Sequence, residues 1–277
     1  MTTWRIDTPA QTIALATYGG IPEVTYWGPR LPDTEDLLQL AAAARLDLTG
    51  GMIDQLPALS LCPESGRAFS GQPGLVVSDA HGTPLHPVFT FDRAEVAPGS
   101  LRLISRAGGI TLTHVLTAQA TGVILLQTLL DSDAPLRVQW LAAPVLPAPQ
   151  QGHMLDVSGK WTREFHLNRT DWTPGVRLRE ARTGRSGHEH PPYLILTGDG
   201  CTNSAGFAQA LHYAWSGGHR MVAEELPCGR RQVQFGHASG AETQLAKQFA
   251  TAEVVAVTST QGLNGIAATF QRDIRDR

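Results

Sequence analysis

Turn-forming residues interrupt this chain so often that its regular structure has to be built from many extended segments rather than a few long helices. Gly occurs 28 times and Pro 18 times in 277 residues. The stretches between them are rich in Val, Leu and Thr, which suit a pleated, half-buried backbone. Charged side chains make up only 17% of the residues and the net charge is -3. That balance gives no electrostatic basis for binding nucleic acid or an anionic membrane surface. The N-terminus lacks the basic-then-apolar layout of a signal peptide, and no apolar run approaches the ~20 residues of a membrane span. The three cysteines, Cys62, Cys201 and Cys228, have no CxxC spacing and read as reduced thiols of a soluble, cytoplasmic protein.

Taken in order, residues 4–30 read as short strands and turns. Asp33 or Thr34 is placed to cap a helix running to Arg45, with Leu37, Leu38, Ala41 and Ala44 on one face and Gly50-Gly51 as its stop. Residues 53–91 hold five prolines and read as loop, because proline cannot donate to a central ladder. Residues 101–142 are the clearest β region. Ile110, Leu112, His114 and Leu116 share a face, VILLQTLL (123–130) reads as a strand buried on both sides, and Leu136, Val138 and Trp140 alternate again. Residues 144–150 read as a proline-rich connection. YLILT (193–197), SAGFAQALHYAW (204–215), RQVQF (231–235) and 244–260 follow at the short spacing of a sandwich. Leu263, Ile266, Phe270 and Ile274 then recur at helical spacing.

Most of the polar chemistry concentrates between Gly159 and Pro192, where two tryptophans, six arginines and three histidines fall within 34 residues. His188 and His190 would face one side of a strand and could share a metal. The Pro191-Pro192 pair favours a turn there instead, and hydrogen-bonded structural histidines. Asp156, Glu164, Asp171 and Glu180 lie among the arginines. They read as a network of ion pairs or an interface, with paired carboxylates for glycosidic chemistry as the alternative. Trp161, Trp172 and Trp215 could also stack on sugar rings. Neither Ser65 nor Ser186 sits in a nucleophile elbow, and no phosphate-binding loop is present.

The motifs in this stretch resemble a known family. Trp161-Thr-Arg163-Glu164, Arg169, Pro174-Gly175, Arg182-x-Gly184 and Ser186-Gly-His188-x-His190-x-Pro192 follow the order found in the N-terminal β-domain of glycoside hydrolase family 36 α-galactosidases. Tyr213-x-Trp215-Ser-Gly217, Gln232-Val-Gln-Phe-Gly236 and Gln261-Gly-Leu-Asn-Gly265 continue it, and the segment Leu59–Phe69 fits more loosely. Ala181, Thr183, Gly187 and Pro191 depart from the family pattern, which bears on individual loop contacts. The resemblance covers residues 50–277 and is best defined from 155 onward.

The resemblance implies a mainly β chain: a large twisted antiparallel β-sandwich (supersandwich) over residues 1–260, with one N-terminal helix. An amphipathic helix over 261–277 would lead toward a (β/α)8 barrel. The family's two catalytic aspartates, for retaining hydrolysis of terminal α-galactosides, lie on that barrel. No catalytic residue, metal ligand or cofactor is therefore expected in this chain. Its expected partners are the catalytic barrel of the same polypeptide, further copies in a homo-oligomer and, for the parent enzyme, galacto-oligosaccharides. Asp54, Arg67 and Phe69 are the candidates for a loop near substrate. Trp161, Arg163, Glu164, Arg169, Arg182, His188 and His190 are the candidates for docking. Two other readings stand beside this one: a freestanding carbohydrate-binding module, and a cupin-like metal enzyme built on His188 and His190.

Overall fold

Nineteen strands and two helices make up the regular structure in the computed structural model, which describes residues 1–45, 56–150, 152–238 and 245–276. Three short strands open the chain: β1 (Thr2–Asp7), β2 (Gln11–Thr17) and β3 (Glu23–Pro29), which form a meander of their own. Helix α1 (Leu37–Ala44) follows. Its cap is Asp36, whose carboxylate accepts the amides of Leu38 and Gln39 at 3.0 and 3.1 Å, so the helix starts later than Asp33 or Thr34 would place it. Only Ala41 of the expected apolar face is buried; Leu38 points to solvent. Gly50-Gly51 and Asp54 lie outside the described residues.

The segment read as loop carries a single 3-10 turn (Ser65–Arg67) and two short strands, β4 (Leu75–Ser78) and β5 (Pro84–Leu85). Then come β6 (Thr90–Ala97), β7 (Ser100–Ala107) and β8 (Ile110–Ala118). Gly108, at φ 56°, makes the tight turn that sets Ala107 opposite Ile110. The two alternating runs between 123 and 142 fuse into one 18-residue strand, β9 (Ile124–Leu141). It stays extended through Asp131 to Pro135 because it changes partners there. β19 (Val254–Ser259) flanks its start, β18 (Ala246–Ala250) its middle and β4 its end, with β8 on the other side.

The proline-rich connection is also part of a sheet, as β10 (Leu146–Pro147), where proline is tolerated on an edge. β11 (His153–Lys160), β12 (Arg163–Asp171) and β13 (Gly175–Ala181) follow, and the last two lie within the motif-rich stretch. β14 (Tyr193–Thr197) coincides with YLILT, and β15 (Ala208–Tyr213) occupies the middle of its segment. β16 (His219–Glu225) has no counterpart in the sequence reading, and β17 (Arg231–His237) extends RQVQF by two residues.

A twelve-stranded antiparallel sheet runs β12-β11-β14-β15-β19-β9-β8-β7-β6, with β18, β4 and β5 attached off this path. A four-stranded sheet, β10-β17-β16-β13, and the β1-β2-β3 meander pack on its inner face. One continuous core lies between these layers, joining Ile13 and Leu15 to Leu112, Leu126, Tyr213 and Phe235. Gln11 ties the meander down: its amide donates to the carbonyls of Gly122 and Ala256, both at 2.8 Å, and its oxygen accepts Trp27 Nε1.

Helix α2 (Gly262–Asp276) covers part of the outer face of the large sheet, with Ile266, Leu263 and Phe270 over Val123, Leu125, Val255 and Val257. Its first amides donate to the carbonyls of Gly206, Thr202 and Asn203, which substitutes for a side-chain cap. Ile274, expected on the same stripe, lies beyond the sheet and is exposed.

Candidate functional site

A single buried carboxylate organises the motif-rich stretch. Asp156 lies on β11 and is 3% exposed. Burying a carboxylate is tolerable only if its oxygens are fully bonded. Oδ1 accepts Asn168 Nδ2 at 2.9 Å and Arg179 Nη2 at 3.0 Å, and Oδ2 accepts Arg177 Nη2 at 2.7 Å and Nε at 3.2 Å. Alternation along β13 places Arg177 and Arg179 on one side of it, so these pairs bridge the four-stranded and twelve-stranded sheets. Asn168 faces Asp156 directly across the β11–β12 ladder and also donates to Ser158 Oγ.

The histidine pair separates at this point. Arg179 Nη1 lies 3.0 Å from His190 Nδ1. A guanidinium only donates, so Nδ1 accepts and the proton sits on Nε2. Burial, and then the charge of Arg179, hold the His190 imidazole below its usual pKa. His188 instead meets Trp161 edge-on, with ring centroids 6.3 Å apart. The two imidazoles thus serve different neighbours, and among the described residues no cluster of three or more His, Cys, Asp or Glu side chains is placed to hold a metal. His219, absent from the sequence reading, is also buried here on β16, and burial pushes its pKa down.

The other carboxylates are engaged too. Glu180 accepts Arg220 Nε at 3.0 Å and is paired with Arg182, Glu164 accepts the Thr162 amide, and Asp171 pairs with His153 at 2.6 Å. Arg163 donates to His166 across the bend of its own strand. Arg169 lies on the outer row of β12 near Cys201. This arrangement braces a sheet corner, and each of these four carboxylates is engaged in it.

Trp161 sits at the β11–β12 hairpin tip and is 77% exposed. The tip is tightly constrained. Thr162 and Phe165 adopt φ of 69° and 55°, and a Cβ on Gly159 would lie 2.3 Å from the Arg163 carbonyl oxygen. The ladder slips between Ser158 and Lys160 to absorb the extra residue. The following loop is fastened to the β15 end, with Ser186 bonded to the carbonyls of Ser216 and Trp215.

Arg67 and Phe69 lie on the far side of the four-stranded sheet. Arg67 donates to Glu64 at 3.0 Å and to the Phe89 carbonyl at 2.6 Å, while Phe69 is buried. A polar ladder clamps their loop down. Glu224 accepts the Gln72 amide at 2.7 Å and Gln232 Nε2 at 2.6 Å, Gln234 Nε2 donates to Gln232 and to the Gln72 carbonyl, and Trp140 Nε1 donates to Gln234. The Gln232-x-Gln234 alternation was visible in the sequence; its partners were not. A cavity of about 440 Å³ lies apart from both regions, lined by Leu85, Ile110, Leu136, Asp79, His81 and Asp133.

The comparisons with known proteins agree with this architecture. An α-galactosidase of Escherichia coli is 29% identical over 283 residues, covering 98% of this chain and 39% of that protein. A crystal structure of the Geobacillus stearothermophilus α-galactosidase AgaA with 1-deoxygalactonojirimycin superposes with a TM-score of 0.88 at 20% identity, covering 100% of this chain and 43% of that one. AgaA with raffinose gives 0.86 at 20% identity, over 97% and 42%. The chain therefore spans about two-fifths of the length of these relatives. Residues 20–246 match the glycosyl hydrolase family 36 N-terminal domain, and the chain belongs to that family.

Proposed function

We propose that this chain is the non-catalytic N-terminal part of an α-galactosidase, and that it supports a catalytic barrel it does not itself contain. The observation that carries this reading is the alignment of nearly all of the chain with only 39% of the Escherichia coli α-galactosidase. The four bonds to the buried Asp156, the arginine pairs of Glu180, and the contacts of Glu164 and Asp171 support a bracing role rather than a hydrolytic one. On this reading residues 1–260 form the supporting β unit and the helix from 261 leads on to the barrel. The parent enzyme acts on terminal α-galactosides, in keeping with the raffinose bound by the relative. The finer roles are assembly into an oligomer and the placing of the Asp54, Arg67 and Phe69 region at the edge of a sugar site, with the glutamine ladder holding the described part of that loop. Trp161, Arg163, Glu164, Arg169, Arg182, His188 and His190 form the docking side.

Two measurements test this. The chain alone should not turn over a chromogenic α-galactoside, and the same chain joined to the coding sequence downstream of codon 277 should. A stop codon there, or turnover by the chain alone, would count against it. The exposure of Trp161 favours one second reading, a freestanding sugar-binding module. Calorimetry with raffinose decides, since millimolar or tighter binding that is lost in W161A would favour the module.

A further inference from the structure

The loop between β13 and β14, residues 182–192, carries Arg182 and His188 and is pinned at several points. Ser186 gives its amide to the Ser216 carbonyl at 2.7 Å and its hydroxyl to the Trp215 carbonyl at 3.0 Å. The Pro192 carbonyl accepts the Tyr213 amide at 2.9 Å. Between these anchors His190 Nδ1 lies 3.0 Å from Arg179 Nη1 of β13, and His219 of β16 bonds the His190 carbonyl. The His190 anchor differs from the others in kind. The lone pair that accepts the guanidinium N–H is the same one that would take up a proton. Once protonated, Nδ1 becomes a donor facing a donor, and two cations stand 3.0 Å apart. The other charges around the ring do not offset this. The Asp156 carboxylate is already shared among Arg177, Arg179 and Asn168, and Glu189 is exposed to solvent, where its charge is screened. His219, with His212 of β15 beside it, adds positive charge on acidification.

We propose that residues 182–192 form an acid-released strap, latched by a hydrogen bond that His190 can accept only while it is neutral. Burial and the charge of Arg179 hold the His190 imidazole below its usual pKa while the strap is down. A released His190 regains an ordinary pKa near ~6.5, so proton uptake favours release. The latch is therefore at full strength above that value and weakens as pH falls through it. The inference concerns this chain alone and stands whether or not the galactoside reading holds. On that reading, acid loosens the side on which Arg182 and His188 dock.

Hydrogen exchange of the whole chain, read amide by amide and corrected for the intrinsic rate, tests this at about pH 7.5 and about pH 5. Opening the strap requires both the Ser186 and the His190 anchors to let go, so the Ser186 amide reports on the latch. Its protection should fall on the order of tenfold at the lower pH, the weight of one hydrogen bond to a charged group. The amides of β14 and β15 should keep theirs. H190N places an acceptor where Nδ1 lies but does not titrate in this range. It should protect Ser186 like the parent at the higher pH and lose the fall at the lower one. H190F, which has no acceptor, should show the low protection at both. Equal protection of Ser186 in the parent at the two pH values would overturn the proposal, as would a fall that persists in H190N or H190F. A loss shared equally by β14 and β15 would overturn it too, because the opening would then be global.

Discussion

His114 should make this domain sensitive to acid, and replacing it by leucine should remove much of that sensitivity. The side chain sits on β8 with no exposed surface, and neither ring nitrogen has a hydrogen-bond partner. Burial alone drives its pKa down to about 3. The unfolded chain, with an ordinary histidine pKa near 6.5, takes up a proton that the folded protein refuses, so stability is lost as pH falls below about 6.5. Between about pH 7.5 and about pH 5 the loss from this one residue comes to about 2 kcal/mol, at ~1.4 kcal/mol per pH unit once the unfolded histidine is fully titrating. Leucine matches the neighbouring Leu112 and Leu116 on the same buried face. H114L should therefore be no less stable than the parent at pH 7.5, and about 2 kcal/mol less sensitive to the drop to pH 5. Urea unfolding at the two pH values measures both quantities. His219 and His237 are also held below their usual pKa, mainly by burial, and leave a residual slope of the same sign. An unchanged pH difference in H114L would refute the reasoning, as would a loss of more than ~2 kcal/mol at pH 7.5.

Other substitutions probe the remaining supports. D156A leaves two arginines without their shared carboxylate and should cost about 3 kcal/mol or more in urea unfolding; a loss below ~1 kcal/mol would show that the sheets hold this corner without it. Q232L breaks the ladder under the Gln72 loop and should lower stability by about 1–3 kcal/mol. Hydrogen exchange at the Gln72 amide should speed up in parallel, and unchanged protection there would exclude the clamp. At Gly262 (φ 64°), an added Cβ would lie 2.2 Å from the Thr202 carbonyl oxygen. G262A should therefore destabilise by about 2 kcal/mol and release α2, seen as faster exchange across the helix.

Local physics made some elements readable in advance. Tyr193–Thr197 was recognisable because an uninterrupted apolar run bounded by turns has few alternatives, and Gly108-Gly109 marked a hairpin by its own conformational freedom. The continuity of β9 was hidden: Asp131, Asp133 and Pro135 are turn formers locally, and the strand runs on through them because β18 pairs with it on both sides of this stretch, at Asp131 and at Leu136. β16 escaped notice because its burial comes from both neighbouring strands and from the loop at Gln72, not from any alternation of its own. In the candidate site, Asp156 and its arginines were visible as a collection of charges. Which charges meet depends on β11 and β13 lying in different sheets, and no local spacing reports that. The left-handed residues Thr162 and Phe165 were equally invisible, since neither residue type favours that backbone.

β9 also sets a timetable for folding. Its partners are drawn from both ends of the chain, with β4 and β8 made before it and β18 and β19 long after. At ~5–20 residues per second of synthesis, the apolar run Val123–Leu130 waits roughly ten seconds beside β8 alone, with its other flank open. During that interval the nascent chain offers an uncharged, β-branched and leucine-rich edge to any neighbour, and pairings so distant in sequence form slowly even once complete. Yield in cells should therefore depend less on the stability of the finished domain than on what shelters that strand until Val254–Ser259 emerges.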